Sequence, residues 1–352
     1  MQKVTGSNPV FSTSFAYFIY PSSMFKSLQI LLGLCLFIVT SCNSQPSTSE
    51  QTNLLICDPA KGVCEAQAAN GGDTTSTGIS AEKSITIHYF TDPICSACWG
   101  IEPQLRKLKL AYGEEVSIIY HMGGLLPDWS YNSGGISKPS DVAHHWDEVS
   151  KYYNMPIDGD IWLEDPLDSS YPPSIAFKAA QMQDLEKALV FLRIMREMVF
   201  LEKKNIAKWE VISQAATMAN LDVKKLRSDF DGPAKTVFEE DLALSKKSNV
   251  RGFPTLIISN KEGKSQTIYG FQKFEAIETV LKQIAPKVIA KKYNRSPSGL
   301  FFVFPSLTVS EFAELSELTT EAAQEKLEVL VGEKKITKFP TKNGSIYRLV
   351  KQ

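Results

Sequence analysis

The hydrophobic pattern changes character several times along the chain. Residues 28–39 form an apolar run whose one polar member is Gln29. Residues 43–83 are rich in Ser, Thr, Asn, Gln and Gly and have no apolar period, which reads as a tether. One island interrupts it at 54–64, where Pro59 and Gly62 allow a turn. Residues 84–90 alternate with period two and are rich in β-branched and aromatic side chains, which predicts a strand. A helix is predicted from Cys95 to Tyr112, with Ile101, Leu105, Leu108 and Leu110 as its apolar members, and 116–120 reads as a second strand. From about 139 to 249 the spacing is helical. Met182, Leu185, Leu189, Leu192, Met195 and Val199 step by three or four and form one stripe, which reads as core rather than as a cofactor box. Residues 250–258 and 266–269 return to strands through the turn residues 260–263, and 274–284 closes as an amphipathic helix. The predicted order is strand, helix, strand, helical insert, hairpin, helix.

The last 55 residues carry a separate pattern. Thr308 and Glu311 form a capping box that opens a helix with Phe312, Leu315 and Leu318. A second helix is predicted over 321–331, with Leu327 and Leu330 inward. Residues 336–339 and 346–349 then read as a hairpin through a type I′ turn at Asn343-Gly344. Two helices followed by a hairpin resemble a winged helix-turn-helix. The second helix carries Glu321, Glu325 and Glu328 against one Lys326, a poor complement to phosphates, so no nucleic acid is expected as a partner. A small packing or protein-binding module fits this composition.

The length of 352 residues allows roughly two to three units. A hydrophobic share of 43% with 22% charged residues supports a buried core rather than disorder. The net charge of −1 gives no general pull toward nucleic acid or an anionic membrane. No apolar run approaches the ~20 residues of a spanning helix, which excludes a polytopic membrane protein. The run at 28–39, with Lys26 before it and Thr40-Ser41-Cys42 after it, has the form of a secretory signal. Its ending resembles the bacterial lipobox, which implies cleavage before Cys42 and acylation of that thiol. The chain is then exported and lipid-anchored to a bacterial membrane, facing the periplasm. The signal's natural start is Met24. Residues 6–10 (Gly-Ser-Asn-Pro-Val) read as translation across the end of a transfer-RNA gene, which leaves 1–23 without a role.

The six cysteines are too few for a disulfide scaffold in a chain of this length, so their spacing carries the information. Cys95-Ser96-Ala97-Cys98 follows a predicted strand and opens a predicted helix, the context of a redox-active pair. Free N–H groups at a helix start lower the pKa of the first thiol, so Cys95 is the nucleophile and Cys98 the resolving sulfur. Half of a zinc site is the rival reading. It needs four ligands, and His88, His121, His144 and His145 have no suitable spacing, so no metal is expected. The adjacent His144 and His145 read as surface residues. Asp92 and Glu102 flank the motif as candidates for proton relay to Cys98, against a plainer reading as surface or capping acids. Cys57 and Cys64 form a second pair on the tether, either a shuttle that exchanges with Cys95-Cys98 or a local structural disulfide. A strand that starts at Pro254 after Gly252-Phe253 is odd unless the Phe253–Pro254 bond is cis.

The pair Cys95/Cys98 after a strand, with Gly252-Phe253-Pro254-Thr255 opening another strand far downstream, resembles a thioredoxin fold. The intervening helical insert resembles that of the DsbA family. The run from Phe90 through Trp99-Gly100 also resembles the branch near 2-hydroxychromene-2-carboxylate isomerases. The fold class implied is α/β: a thioredoxin-like domain at 84–285 with its insert, preceded by a signal (1–41) and tether (42–83), and followed by a small winged-helix-like α+β module (286–352). By this resemblance Pro254 lies against the Cys95 sulfur, and Phe253 and Thr255 line a groove that pairs with an extended substrate segment. The dipeptide Ser96-Ala97 departs from the Pro-His of strongly oxidising members and supplies no His⁺ to hold a Cys95 thiolate. The activity implied is thiol–disulfide exchange with protein thiols and a separate redox partner. The dithiol itself is the carrier, with no organic cofactor. Two rival classes are a glutathione-using isomerase or transferase and a non-enzymatic adaptor.

Overall fold

The computed structural model describes the backbone at residues 56–58 and 63–65, and the chain at 83–130 and 136–350. The apolar run at 28–39, Cys42 and the side chains of Cys57 and Cys64 lie outside the described residues. Strands β1 (Ile56–Asp58) and β2 (Val63–Glu65) pair antiparallel, with Cys57 opposite Cys64 in register.

A four-stranded sheet carries the next part of the chain. β3 (Ile85–Thr91) leads into a short helix α1 (Ser96–Gly100), then α2 (Glu102–Tyr112) and β4 (Val116–Met122), which returns parallel to β3. Seven helices follow: α3 (Pro139–Tyr153), α4 (Ile161–Glu164), α5 (Tyr171–Gln181), α6 (Leu185–Leu201), α7 (Trp209–Met218), α8 (Val223–Asp231) and α9 (Ala234–Lys247). β5 (Thr255–Asn260) and β6 (Ser265–Tyr269) then form a hairpin, and α10 (Phe274–Ile284) closes the unit. The strand order is β4-β3-β5-β6, with β5 antiparallel to both β3 and β6.

The period-two pattern of β3 explains the layering. Ile85, Ile87 and Tyr89 point to one face and are fully buried, joined by Leu256 and Ile258 of β5 and covered by Leu108 of α2 and Ile277 and Leu281 of α10. Thr86 and His88 point to the other face and remain half-buried. The insert has its own core around α6, with Phe191, Met195, Val199 and Phe200 packed against Trp162 and Phe177. Trp99, one residue past Cys98, joins that core and stacks on Phe200 at 5.5 Å between ring centroids.

The C-terminal part is α11 (Pro297–Val303), β7 (Ser306–Thr308), α12 (Val309–Ser316), α13 (Thr320–Gly332), β8 (Ile336–Thr341) and β9 (Gly344–Leu349). The sheet order β7-β9-β8 and the helix placement give a winged-helix-like α+β module. Its core of Phe301, Leu307, Phe312, Leu315, Leu327 and Tyr347 accepts Leu110 from α2 at its edge.

Four local expectations change in the structure. The helix predicted over 95–112 is two helices, because Pro103 at the second position of α2 lacks the N–H a continuous ladder needs and its ring would crowd the carbonyl four residues back. The stripe begins at Leu185 rather than Met182: Asp184 caps α6 through Lys187 N–H at 2.9 Å, and Met182 is the cap residue ending α5. The strand near 250 begins only at Thr255. The C-terminal hairpin does not use a type I′ turn at Asn343-Gly344. Thr341 pairs with Gly344, so the loop is Lys342-Asn343, and neither residue has a positive φ. Tertiary contacts select that turn. Asn343 Nδ2 donates to Asp147 Oδ1 at 2.9 Å and to the Ile157 carbonyl at 2.8 Å, while Gly344 at φ 142° sits where a Cβ would lie 3.1 Å from Pro156.

Candidate redox site

Cys95 is the N-cap of α1. Its sulfur accepts the Cys98 N–H at 3.1 Å, and its own N–H donates to the Asp92 carbonyl at 3.3 Å. The two cysteines are joined by a disulfide, with Cα atoms 5.1 Å apart. Exposure separates them: Cys95 keeps 3% of its surface and Cys98 none. A thiolate arriving from solvent therefore meets Cys95 first. Gly100 fits because the Tyr153 ring of α3 occupies the place of a Cβ, at 2.5 Å, which seats the redox helix directly on the insert.

The Phe253–Pro254 bond is cis. Thr255 stands opposite Phe90, so Pro254 is level with Thr91, at the sheet end from which the Cys95 loop emerges. The Pro254 carbonyl accepts from Gly270 N–H at 2.8 Å, and Thr255 Oγ1 donates to the Gly252 carbonyl at 2.7 Å. Phe253 lies over Gly123, where an added Cβ would fall 1.9 Å from its ring. A shallow cleft of about 560 Å³ opens beside this turn, lined by Asn249, Arg251, Phe253 and Tyr269 among others.

The two acids flanking the motif are not surface residues. Asp92 is fully buried, and its carboxylate accepts from Ile94 N–H at 3.0 Å, Leu125 N–H at 2.7 Å and Ser170 Oγ at 2.8 Å. Burial pushes its carboxyl up to about 6, with these neutral donors opposing the rise. Glu102 belongs to a different environment. It accepts from Arg196 Nη1 at 2.5 Å and pairs with Arg106 at 3.7 Å and Arg193 at 3.8 Å.

Sequence reasoning missed those arginines. Arg193 and Arg196 fall between stripe positions of α6, and a helix apolar nearly all round (Phe191, Ile194, Met198, Phe200, Leu201) must bury the charges it carries. That was the available signal. It also missed a chain on the second sheet face: Lys178 Nζ pairs with Asp241 at 2.8 Å, Asp241 with His121 Nδ1 at 2.8 Å, and His121 Nε2 with His88 Nδ1 at 2.9 Å. Burial opposes the Asp241 charge, but the Lys178 ammonium and His121 outweigh it and hold the carboxyl below its usual range. Burial, then the neighbouring His121, lowers the His88 pKa. His144 is exposed on α3 beside Glu148 at 3.2 Å. Among the described residues, no group of three or more His, Cys, Asp or Glu is placed to hold a metal ion.

Comparison with known proteins accords with this geometry. The thioredoxin family model matches residues 88–279. The ClpXP adapter protein SpxH of Halalkalibacterium halodurans is 31% identical over 309 residues, covering 85% of this chain and 97% of that protein. SpxH of Bacillus subtilis is 27% identical over 274 residues, covering 76% of this chain and 90% of that protein. A solved structure from Nitrosomonas europaea, described as a candidate protein disulfide isomerase, superposes with a TM-score of 0.51 at 18% identity, covering 57% of this chain and 97% of its own. The chain belongs to the thioredoxin family, with a helical insert and an added winged-helix-like module.

Proposed function

We propose that this thioredoxin-family protein is an exported thiol–disulfide oxidoreductase that exchanges disulfides with protein substrates through Cys95 and Cys98. The observation that carries the reading is the pairing of a barely exposed Cys95 at a helix cap with a fully buried Cys98, at the same sheet end as a cis-proline turn. In the oxidising direction a substrate thiolate attacks the Cys95 sulfur. The Cys95–Cys98 bond breaks and Cys98 leaves as a thiolate, forming a mixed disulfide with Cys95. A second substrate thiolate then attacks the mixed disulfide at the substrate sulfur and releases Cys95. The substrate loses two electrons and two protons, and the protein holds them as a dithiol. Reduction runs the same steps backward. Phe253 lines the cleft offered to an extended substrate segment, with Pro254 and the fully buried Thr255 behind it as support rather than as groove walls, and Asp92, ionising near pH 6, serves as the proton reservoir of the loop. Glu102, committed to three arginines, has a weaker claim to that role. The dithiol is the electron carrier, so no organic cofactor is invoked. Acylated Cys42 would hold the protein on a membrane, and a Cys42→Ser variant should release it.

Equilibration with glutathione and mass-spectrometric trapping of thiols tests the reading. A potential near −270 mV, that of thioredoxin, would mark a reductase or isomerase, and one near −120 mV a disulfide donor. Cys95→Ser should abolish exchange, and Cys98→Ser should accumulate the mixed disulfide. A pair that never oxidises, or exchange that survives Cys95→Ser, would sink the assignment. Glutathione turnover that survives Cys95→Ser would point to the isomerase or transferase class.

A second reading has its own support: the relatives matched over 90% or more of their length are named ClpXP adapter proteins. On that reading the fold holds another protein and the dithiol is dispensable. Wild-type function in the Cys95→Ser, Cys98→Ser double variant would favour it.

A further inference from the structure

The C-terminal module meets the redox unit through a buried set of ion pairs. Glu311 of α12 has no exposed surface, and its carboxylate takes both Nη atoms of Arg193, at 2.7 and 3.0 Å, and Nε of Arg106 at 3.2 Å. These two arginines flank Glu102, which accepts Arg196 Nη1 at 2.5 Å. Arg196 Nη2 donates to Thr91 Oγ1 at 2.6 Å and to the Asp92 carbonyl at 3.4 Å. That same carbonyl receives the Cys95 N–H at 3.3 Å. A second route ends one residue past Cys98, where the Arg193 guanidinium lies 4.3 Å from the centroid of the Trp99 ring. The module adds one more charge: Arg348 of β9 pairs with Glu197 at 3.0 Å and Glu202 at 2.7 Å, and Glu197 pairs with Arg193 at 2.8 Å.

We propose that Glu311 is a positioning residue of the redox site: it sets Arg193 and Arg106 on Glu102, and Glu102 sets Arg196 under the loop that carries Cys95. The redox unit alone brings Arg106, Arg193 and Arg196 against Glu102, Glu197 and Glu202. The module adds one anion, Glu311, set on Arg193 and Arg106, and one cation, Arg348, set on Glu197 and Glu202. Buried charges are weakly screened, so this balance reaches the sulfurs. Other titratable groups facing this set are Asp92 on the Cys95 loop, Glu202 at the end of α6, Tyr89 and Tyr120 of the sheet beside Arg196 and Glu102, and Tyr153 of α3 against Gly100. The inference rests on Cys95 being the reactive thiol, as proposed above, and assigns the module an electrostatic share in its acidity.

The test reads the pH profile of Cys95 alkylation by iodoacetamide in the reduced full chain, followed by mass spectrometry. Glu311→Gln removes an anion, so the thiolate is favoured, the profile moves to lower pH, and the rate at fixed pH below the thiol pKa rises several-fold. Arg193→Met removes a cation and moves the profile the other way. Should either fail to fold, Arg348→Gln and Glu202→Gln form a partly exposed pair with the same opposite signs. Lys342→Ala cuts the module's separate contacts to Asp147 and Asp160 and should leave the profile in place. Opposite shifts support the proposal. Profiles that coincide with wild type overturn it, and so do two variants moving in one direction, which is what loosened packing gives. Alkylation needs no turnover, so a failure of disulfide exchange would sink the proposed function and leave this result standing.

Discussion

Asp92 in the redox loop and Glu311 at the module junction are both sealed from solvent, yet their acidities part in opposite directions. Asp92 is held by two backbone N–H groups and one hydroxyl, and burial drives its carboxyl up to about 6. Glu311 is penalised by burial too, but Arg106 and then Arg193 hold it below the ordinary range. Neutral donors lower the energy of a buried carboxylate without cancelling its charge, and guanidiniums cancel it. The redox loop therefore keeps an acid that can change protonation near neutral pH, while the junction keeps a permanent anion. One arrangement suits chemistry and the other suits attachment.

Removing the permanent anion should break the comparison most severely. Glu311→Ala leaves two buried guanidiniums without their shared partner, and urea unfolding should show a loss of about 3–5 kcal/mol. A loss under 1 kcal/mol would mean the junction is held by its apolar contacts alone.

Asp92 makes a prediction in pH rather than in contacts. Its folded pKa lies above the unfolded value, so between about pH 4 and 6 the folded state binds more protons than the unfolded state. Stability from this group is present below pH 4 and falls as pH rises, by roughly 3 kcal/mol once pH passes 6. Asp92→Asn should remove that slope, and unfolding free energies measured at pH 4, 5, 6 and 7 would show it. A slope that survives the substitution would place the titration elsewhere. Glu311→Gln should do the reverse, because the depressed pKa of Glu311 adds stability above the unfolded value that is lost only as the solution is made more acid.

Thr308→Ala sharpens the comparison by removing a neutral partner at the junction. The Thr308 hydroxyl accepts Glu311 N–H at 3.2 Å, while Thr308 N–H and the arginines continue to hold the carboxylate. The expected cost is about 1 kcal/mol in thermal or urea unfolding, that of a lost helix cap. Lys342→Ala is the smallest: the Lys342 side chain that pairs with Asp147 and Asp160 at 2.6 and 2.7 Å is more than a third exposed, and the cost should be about 0.5 kcal/mol, vanishing at high salt.

Much of the fold was legible because local pattern and tertiary burial agree. The alternation in β3 marks a strand with one sealed face, the sealed residues being Ile85, Ile87 and Tyr89. The apolar spacing of α10 marks both ends of that helix and the capping box marks the start of α12, while α12 stops at Ser316 and leaves the expected helical Leu318 beyond it and exposed. The Cys95–Cys98 pairing and the cis bond before Pro254 were visible by residue type and spacing. The three-residue β7 and the short α11 were not, since neither is long enough to show a period. The Lys342-Asn343 turn was misread because bonds to Asp147 and the Ile157 carbonyl, close to two hundred residues away in sequence, outweigh the local preference of Asn-Gly.

By itself the sequence determined the order of elements, the place of the dithiol at a strand-to-helix junction, and the helical insert that separates it from the cis-proline. These follow from periodicity and residue type, which act over a few neighbours. Only the tertiary structure decided which charges are buried together: Glu102, Arg106, Arg193, Arg196 and Glu311 come from α2, α6 and α12 and meet only after folding. A charge looks the same in sequence whether water or a guanidinium surrounds it. The energy that separates Asp92 from Glu311 belongs mostly to the Arg106 and Arg193 guanidiniums that only folding brings against the Glu311 carboxylate.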